Sequence, residues 1–320
     1  MFVFYLAKLK KSFLVLLLIV SLKSNAQTAL SKTIEILNEN DLFVSTYYDR
    51  YYTNGLFVSF RFLDTNSQIK SKTIHELQIG HQMYTPQFHK IKDNSVDRPY
   101  AGYAFLSYNL SRYYKNYAVQ GGIELGAIGP ISKAAEIQNT LHQLIGYPKN
   151  DAWIKQIQNQ IAINIEGNYI RPFSKNEKQK IDFISSTTLK IGTIHTHLST
   201  NVYTRFNLLD NSLNRFNNSI LINSNLYQEA IAQRKELFIY CKPQINYNIY
   251  DATIQGRLPN ESKQKEYTLI PVNIEVEVGI KYAYKKINLS YSAIRYSKKL
   301  KEMIENSNTY GAIKIAYLFD

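Results

Sequence analysis

Hydrophobic and polar residues alternate along several stretches of the chain, most clearly in its last third. Between residues 274 and 284 the apolar positions are Ile274, Val276, Val278, Ile280, Tyr282 and Tyr284, and the positions between them are Glu275, Glu277, Gly279, Lys281 and Ala283. A period of two predicts a strand with one apolar and one polar face. The same pattern recurs over 287–293 and 312–319.

Twelve strands are predicted in this way. Upward strands are expected near 33–41, 73–84, 116–128, 179–191, 236–252 and 287–297, and downward strands near 52–63, 100–113, 158–173, 195–208, 272–284 and 309–319. The very short connections at Tyr114-Lys115 and Lys285-Lys286 are typical of periplasmic turns. The Asn-rich stretch 209–235 is too long for that end of the barrel, and the pattern leaves open whether it contains a hairpin.

These strands favour an all-β fold, a twelve-stranded antiparallel outer-membrane barrel. A soluble sandwich also alternates, but here tyrosines end the apolar faces, as in the aromatic girdles of such barrels. Short turns also alternate with longer loops, and the last strand carries Phe319 next to the final residue, Asp320. After the first 26 residues no apolar stretch approaches the length of a membrane-spanning helix.

One segment departs from the strand pattern. Between Ser132 and Ile145 the apolar residues Ile137, Leu141 and Leu144 fall at helical spacing. Ser132 is expected to cap the helix, and Gly146 followed by Pro148 to end it. Ala134, Gln138 and His142 then share one stripe of a short helix in the third long loop.

The N-terminus resembles a secretory signal over residues 1–26, with basic residues, an apolar run from Phe13 to Leu22 and a small-x-small site at Ser24-Asn25-Ala26. A membrane anchor is the alternative, but ten apolar residues are too few to span a bilayer. Residues 27–320 then form the barrel, and no second domain boundary is found. Cys241 is the only cysteine, so an internal disulfide and cysteine metal sites are excluded.

The charge of the chain favours an anionic partner. The signal holds four lysines and no acids, so its removal lowers the formal charge from +13 to +9. Lipid phosphates fit this surplus better than nucleic acid, because no nucleic-acid-binding motif is present. The chain also has no Gly-x-Ser-x-Gly elbow, phosphate-binding glycine loop or dinucleotide fingerprint. Nucleotide chemistry is therefore set aside.

Strand direction places several unusual residues at one rim. They are Asn40-Asp41, the run 49–55 with Thr53, Asp97-Arg98-Pro99-Tyr100 and His142. An imidazole exchanges a proton near neutral pH, so His142 is a candidate general base, although a lone histidine is more often structural. Asn40 and Asp41 offer the hard oxygen ligands that suit calcium, or they form an Asx turn.

Other polar residues have plain structural alternatives. Thr53 fits a turn, and Asp97-Arg98 fits an ion pair that braces a loop. His195 and His197 share a strand face like a metal pair, but no carboxylate lies near them in sequence. Lys90 and Lys92 in the second long loop would meet either a phosphate or water.

Together these residues resemble the LpxR-type lipid A 3-O-deacylases of Gram-negative outer membranes. The matching stretches are Asn40-Asp41, 49–55 (DRYYTNG), 97–102 (DRPYAG), 126–130 (GAIGP), Gln138-Asn139, 142–146 (HQLIG) and Trp153. Their order and spacing agree over about 34–165; beyond that, only the strand pattern supports the resemblance.

The resemblance implies a calcium-dependent esterase at the outer rim that removes the 3'-O-linked acyloxyacyl group of lipid A. His142 would activate water, and Ca²⁺ near Asn40 and Asp41 would stabilise the oxyanion. Thr53 would orient substrate or water, and Gln138 would face the same cleft. The chain departs from the family at two places. The basic residue of the second long loop would be supplied by Lys90 or Lys92. The acidic residue that some members have shortly after the histidine is replaced near 147–149, with Asp151 as the substitute.

The expected partners are lipid A or lipopolysaccharide as substrate and the outer membrane, without nucleic acid, and the protein is expected to be a monomer. The alternative function is a non-enzymatic barrel that serves as a pore, adhesin or structural protein. A membrane phospholipase with a serine nucleophile is a third possibility, which the missing serine motif disfavours.

Overall fold

The computed structural model describes residues 31–44, 50–64, 72–87, 96–114, 116–146, 149–173, 180–209, 235–257 and 267–319. Over these residues twelve antiparallel strands close into a barrel in which β1 pairs with β12. They are β1 Lys32–Asn40, β2 Tyr51–Leu63, β3 Lys72–Thr85, β4 Ala101–Tyr113, β5 Ala118–Ile128, β6 Gln160–Pro172, β7 Ile181–Gly192, β8 His195–Asn207, β9 Glu236–Asp251, β10 Val272–Tyr284, β11 Ile287–Ser297 and β12 Ser307–Phe319. Helices α1 (Ala134–Ile145) and α2 (Ala252–Gln255) lie in connections, with 3₁₀ turns at Asp41–Val44, Pro130–Ser132 and Asp151–Lys155.

The predicted fold class is confirmed, and each predicted strand boundary lies within two residues of the observed one. The predicted signal, residues 1–26, and most of the stretch 209–235 lie outside the described residues, as does Lys115. Among the helices that the structure describes, none is long and apolar enough to cross a membrane.

The two faces of each strand have opposite chemistry. On β10, Ile274 and Val278 point outward and are exposed, whereas Glu277 and Lys281 line the lumen. Outward apolar residues recur on neighbouring strands and form a belt that we call the apolar belt, whose members include Leu56, Val58, Leu77, Ile79, Leu106, Ile123, Leu125, Ile161, Ile163 and Ile165. The alternation in the sequence therefore separates a lipid-facing wall from a polar interior.

The two ends of the barrel also differ. At the turn end the chain enters at Lys32 and leaves at Phe319, which pair with each other. Outward aromatic residues gather at this end, as a girdle of one membrane interface does. They include Tyr169, Phe173, Phe183, Phe206 and Tyr284. The opposite, loop end carries α1, α2 and the three 3₁₀ turns.

Ion pairs on the lumen side join strands that lie next to each other or one strand apart. Arg61 on β2 bonds Glu76 on β3 and lies 3.3 Å from Glu35 on β1. Lys190 lies 3.3 Å from Glu124 and 3.2 Å from Glu166. Because a buried charge is costly without a partner, such pairs allow a polar interior in a small barrel.

Arg98 ties the loop end of the lumen together. Its guanidinium donates to the carbonyl oxygens of Tyr51 at 3.2 Å and Thr253 at 3.1 Å, and lies 4.6 Å from the ring centre of Tyr84. Asp97 accepts hydrogen bonds from the Tyr51 hydroxyl at 2.8 Å and from the backbone N–H of Ile304 at 3.2 Å. The two residues therefore brace the loop end, but they do so through separate hydrogen bonds to β2, α2 and the β11–β12 connection and not through the predicted ion pair with each other.

Candidate active site

Helix α1 begins one residue later than a cap at Ser132 predicts. Lys133, in the left-handed region with φ 62°, precedes it, and no side chain caps the helix. The prediction of a Ser132 cap is wrong, because the Ser132 hydroxyl donates instead to the Gly129 carbonyl oxygen at 2.6 Å. Gly146, with φ 84°, ends the helix as predicted.

The helix lies against the outer side of the barrel wall. Tyr103 and Phe105 on β4 line the lumen, so Gly102 points outward. A Cβ atom on Gly102 would lie 2.2 Å from the Ala134 Cβ and 2.3 Å from the Ser132 Oγ. Outward-facing Met83 on β3 packs in the same buried cluster as Ala134. Close contact with the wall thus requires glycine at position 102.

Gly129 directs the chain from β5 to the helix. Its φ of 94° favours glycine, and a Cβ there would lie 2.7 Å from the Gln158 carbonyl oxygen. The Gly129 N–H donates to the Gly102 carbonyl oxygen at 2.9 Å. A ring nitrogen of His81 donates to the Ser132 carbonyl oxygen at 3.0 Å. The 126–130 motif therefore folds the third loop back onto β3 and β4.

Gln138 is held by aromatic residues on the barrel side of the helix. Its side-chain oxygen accepts a hydrogen bond from the Trp153 indole N–H, and both residues are buried. The Trp153 ring packs against Tyr100, with ring centres 5.1 Å apart. His142 is one turn further along the same side and is half-buried. The helix therefore presents a fixed amide and a more accessible imidazole.

Thr53 lies on the outer side of the wall next to this helix. A β-bulge between Tyr52 and Asn54 places it out of register, and Tyr52 lines the lumen. Thr53 and the outward-facing Thr85 share a hydrogen bond of 2.7 Å between their hydroxyl groups, and both are buried. Because neighbouring residues of a strand alternate, Thr53 points outward after the inward Tyr52, and the bulge lets Asn54, which pairs with the outward Met83, leave the lumen as well.

Asn40 and Asp41 end β1 beside β2 and β12. The Asn40 side-chain oxygen accepts from the Leu42 N–H at 2.7 Å, which is the predicted Asx-type turn. The buried Asp41 carboxylate accepts from the Arg50 N–H at 3.1 Å. Phe43 then packs on the outward face of Gly311, and its carbonyl oxygen accepts from the outward Tyr291 hydroxyl at 2.8 Å. This turn therefore reaches over the outer side of the wall.

The opposite side of α1 meets water. Lys133 Nζ donates to Glu136 Oε1 at 3.0 Å, and both side chains are largely exposed. The hydrogen bond from Lys133 holds the pKa of Glu136 below its usual range. The Glu136 carboxylate on this side is therefore ionised at neutral pH.

The predicted site residues lie in one sector of the loop end. Around the rim come Asn40 at the end of β1 and Asp41 at the start of the 3₁₀ turn, then Thr53 on β2 with Thr85 on β3, and then α1, which carries Gln138 and His142 and packs on β3 and β4. Asn40, Thr53 and α1 are on the outer side of the wall. Lys90 and Lys92 lie outside the described residues, and Asp151 is exposed at the start of a 3₁₀ turn.

Comparison with known families decides the kinship of this barrel. A family model described as "Outer membrane protein LpxR" matches residues 13–319. The chain belongs to the LpxR family. LpxR from Salmonella typhimurium matches its structure with a TM-score of 0.72 at 18% identity, over 90% of this chain and 100% of that chain.

A more distant likeness is the beta domain of the Bordetella autotransporter BrkA, with a TM-score of 0.46 at 9% identity over 91% of this chain and 99% of that chain. Comparison with curated protein sequences gives no match. The Salmonella LpxR structure thus supports the fold, and the family model gives the kinship.

The oxygen atoms of this LpxR-family chain can be tested against a calcium ion. Asn40 and Asp41 supply an amide oxygen and a buried carboxylate, and calcium prefers such hard ligands. The described residues hold no group of three His, Cys, Asp or Glu side chains placed to bind a metal. The donors therefore fit an oxygen-bound cation completed by carbonyl, amide or water oxygens, and fit zinc poorly.

The histidine pair that the sequence suggested as possible metal ligands lies inside the barrel. His195 and His197 line the lumen cavity, with ring centres 6.4 Å apart. The structure brings Asp251 to 3.6 Å from His195 Nδ1, a carboxylate that sequence spacing could not reveal. This pair is therefore separated from α1 by the barrel wall.

Sequence reasoning missed two residues that position the site, Thr85, which holds Thr53, and His81, which holds the third loop. Trp153, the sole tryptophan of the chain, was named in the family resemblance, but its role in holding Gln138 was not predicted. Neither Thr85 nor His81 gave a signal in the sequence, because their roles depend on strand pairing.

Proposed function

We propose that this chain is an outer-membrane esterase that hydrolyses the 3'-O-linked acyloxyacyl group of lipid A, with His142 as general base and Ca²⁺ at Asn40 and Asp41. Its membership of the LpxR family supports an activity of this class. The observation that carries the proposal is the position of α1, which packs through Ala134 on the lipid-facing side of the wall rather than in the lumen and carries Gln138 and His142 on the same side of the helix.

That position suits a lipid substrate. An acyl chain can approach the outer wall sideways while it remains in the membrane. Entry through the lumen would expose the chain to water, at a cost of about 0.8 kcal/mol for each methylene group. The contacts of Arg98 across the loop end also disfavour a pore.

Each step of hydrolysis has a residue to perform it. His142 accepts a proton from water as the water oxygen bonds to the ester carbonyl carbon. The bond to the sugar oxygen then breaks, and that oxygen takes the proton from His142. Thr53, fixed by Thr85, orients the water or the ester, and Gln138, fixed by Trp153, contacts the same substrate.

The cation has a limited part in the proposal. Bound calcium supplies a positive charge that stabilises negative charge on the ester oxygen. Asn40 and Asp41 would hold it, and their positions are fixed by the Asx-type turn and the Arg50 N–H. Lys90 or Lys92 would bind a lipid A phosphate.

The test is mass spectrometry of lipid A incubated with the purified protein in detergent micelles. We expect a product that has lost one acyloxyacyl group, and no product after excess EGTA until calcium is restored. Unchanged lipid A under every condition, with a folded barrel, would refute the esterase. Activity that persists in EGTA would remove only calcium from the proposal.

A further inference from the structure

Helix α1 has three sides rather than two. With 3.6 residues per turn, Ala134, Gln138 and His142 share the side that faces the wall. Glu136, Thr140 and Gln143 share an exposed polar side. Ile137, Leu141 and Leu144 form a third side, the apolar stripe, which lies between these two and remains exposed. Leu144 is 74% exposed, although a leucine in water gains nothing from that position.

The apolar stripe lies next to the apolar belt of the barrel. On β3 and β4 the belt reaches Ile79 and Leu106, and the next outward positions, His81 and Ala104, lead directly to the region under the helix. On β6 the belt reaches Ile161, which is 74% exposed and pairs with Ala127, two residues before Gly129. The lipid-facing surface is thus continuous with the foot of the third loop.

The residues that flank the helix extend this surface. Ile131 precedes α1 and is 59% exposed, and Ile154 in the following 3₁₀ turn is 89% exposed. Exposed apolar side chains on a membrane protein, continuous with its lipid-facing belt, mark contact with the bilayer. The polar side of α1, with the Lys133–Glu136 pair, would then face the aqueous phase.

We propose that the apolar stripe of α1 inserts into the acyl-chain region of the outer leaflet, so that the helix lies in the membrane interface with its polar side in water. The occupant of the stripe is lipid, because the stripe continues the lipid-facing belt. Neither the continuity with the apolar belt nor the position of the polar side favours a second copy of this chain or a soluble protein as the occupant. The proposal concerns depth in the membrane and stands apart from hydrolysis.

Spin labelling tests the depth of each side of the helix. The lone Cys241 is replaced by alanine, and a nitroxide is attached in turn at Leu144→Cys, at Gln143→Cys on the polar side and at Ile79→Cys in the apolar belt. The protein is reconstituted in vesicles of phosphatidylcholine and phosphatidylglycerol. Collision rates with oxygen, which enriches in the bilayer, and with a water-soluble nickel chelate are compared.

We expect the label at 144 to resemble the label at 79, with its oxygen-to-nickel collision ratio at least tenfold above that at 143. Ile137→Cys replaces Leu144→Cys if the latter fails to fold. Equal ratios at 143 and 144 would overturn the proposal. Dipolar broadening between copies, or shielding of 144 from both reagents, would overturn it in favour of a protein partner. These readouts require no turnover, so they do not depend on the esterase.

Discussion

The lumen and the outer wall at α1 differ in how many charged residues they hold and in what those residues contact. In the lumen, Arg61 pairs with Glu35 and Glu76, and His195 lies beside Asp251. At the outer wall the polar residues are fewer and smaller, and their contacts fix the positions of Thr53 and Gln138. A high density of ionisable residues therefore does not locate the candidate site. The site is located by asking which residues face the outer side of the wall.

The difference has a physical cause. Closure of the strands into a barrel buries the charged side chains of the lumen. A buried charge requires an opposite charge to offset its desolvation. The outer wall adjoins lipid, and the third loop covers it with glycine, alanine and aromatic contacts. We therefore expect lumen substitutions to change stability and outer-wall substitutions to change activity.

The largest effect on stability is expected for Arg61→Ala. It leaves the half-buried Glu76 without its arginine and the buried Glu35 with Lys314 at 3.7 Å, which costs toward the lower end of about 3–5 kcal/mol. Thermal unfolding followed by the mobility shift of folded barrels in gels would measure the loss, with the exposed Arg171→Ala as control. Equal stability of the two variants would contradict a structural role for the lumen pairs.

Gly102→Val should reduce activity while the barrel stays folded. The new side chain would meet Ala134 and Ser132 and displace α1, and a shift of 1 Å in reacting groups costs about 10²-fold in rate. Gly167→Val is the matched control, since no atom lies within 4 Å of the Gly167 Cβ position. Full activity of Gly102→Val in the lipid A assay would show that docking of α1 is not required.

Trp153→Phe should have a smaller effect. The phenyl ring can still pack against Tyr100, but the N–H that donates to Gln138 is lost, at about 1–1.5 kcal/mol or close to tenfold in rate. Initial rates on lipid A would measure it, and unchanged thermal unfolding would separate this loss from misfolding. A rate equal to that of the wild type would mean that Gln138 needs no fixed position.

The smallest effect is expected for Thr85→Val. It removes the hydroxyl that holds Thr53, which is worth about 1 kcal/mol, or roughly fivefold in rate. Thr85→Ser keeps the hydroxyl and should restore most of the activity. If the valine variant were as active as the wild type, or the serine variant, which keeps the hydroxyl, were as impaired as the valine variant, the hydrogen bond to Thr53 would not account for the loss.

The sequence predicted the barrel well because alternation is a local property. The alternation of apolar and polar residues along β10 shows which face its residues occupy. The same alternation predicts the other strands. The β-bulge at Thr53 does not follow in this way, since its register depends on β3. The wrong Ser132 cap has a local cause instead, because the Ser132 hydroxyl donates to the carbonyl oxygen of Gly129, three residues earlier, in the 3₁₀ turn that precedes α1.

Long-range strand pairing also explains why sequence spacing did not reveal the carboxylate beside His195. Asp251 reaches His195 only because β8 and β9 are adjacent in the barrel. The positions of Gln138 and His142 could be predicted from helical spacing alone, but the side of the wall that they occupy required Gly102 and Met83. The roles of Asn40, Asp41, Thr53, Gln138 and His142 stay predictions.

The most direct test of the account compares a histidine on each side of the wall. His142→Ala and the double variant His195→Ala/His197→Ala are purified as folded barrels and incubated with lipid A, and the products are analysed by mass spectrometry. We predict a loss of about 10²–10⁴-fold for His142→Ala and near-normal deacylation for the lumen variant. Normal deacylation by His142→Ala, or its loss only in the lumen variant, would contradict an active site on the outer wall.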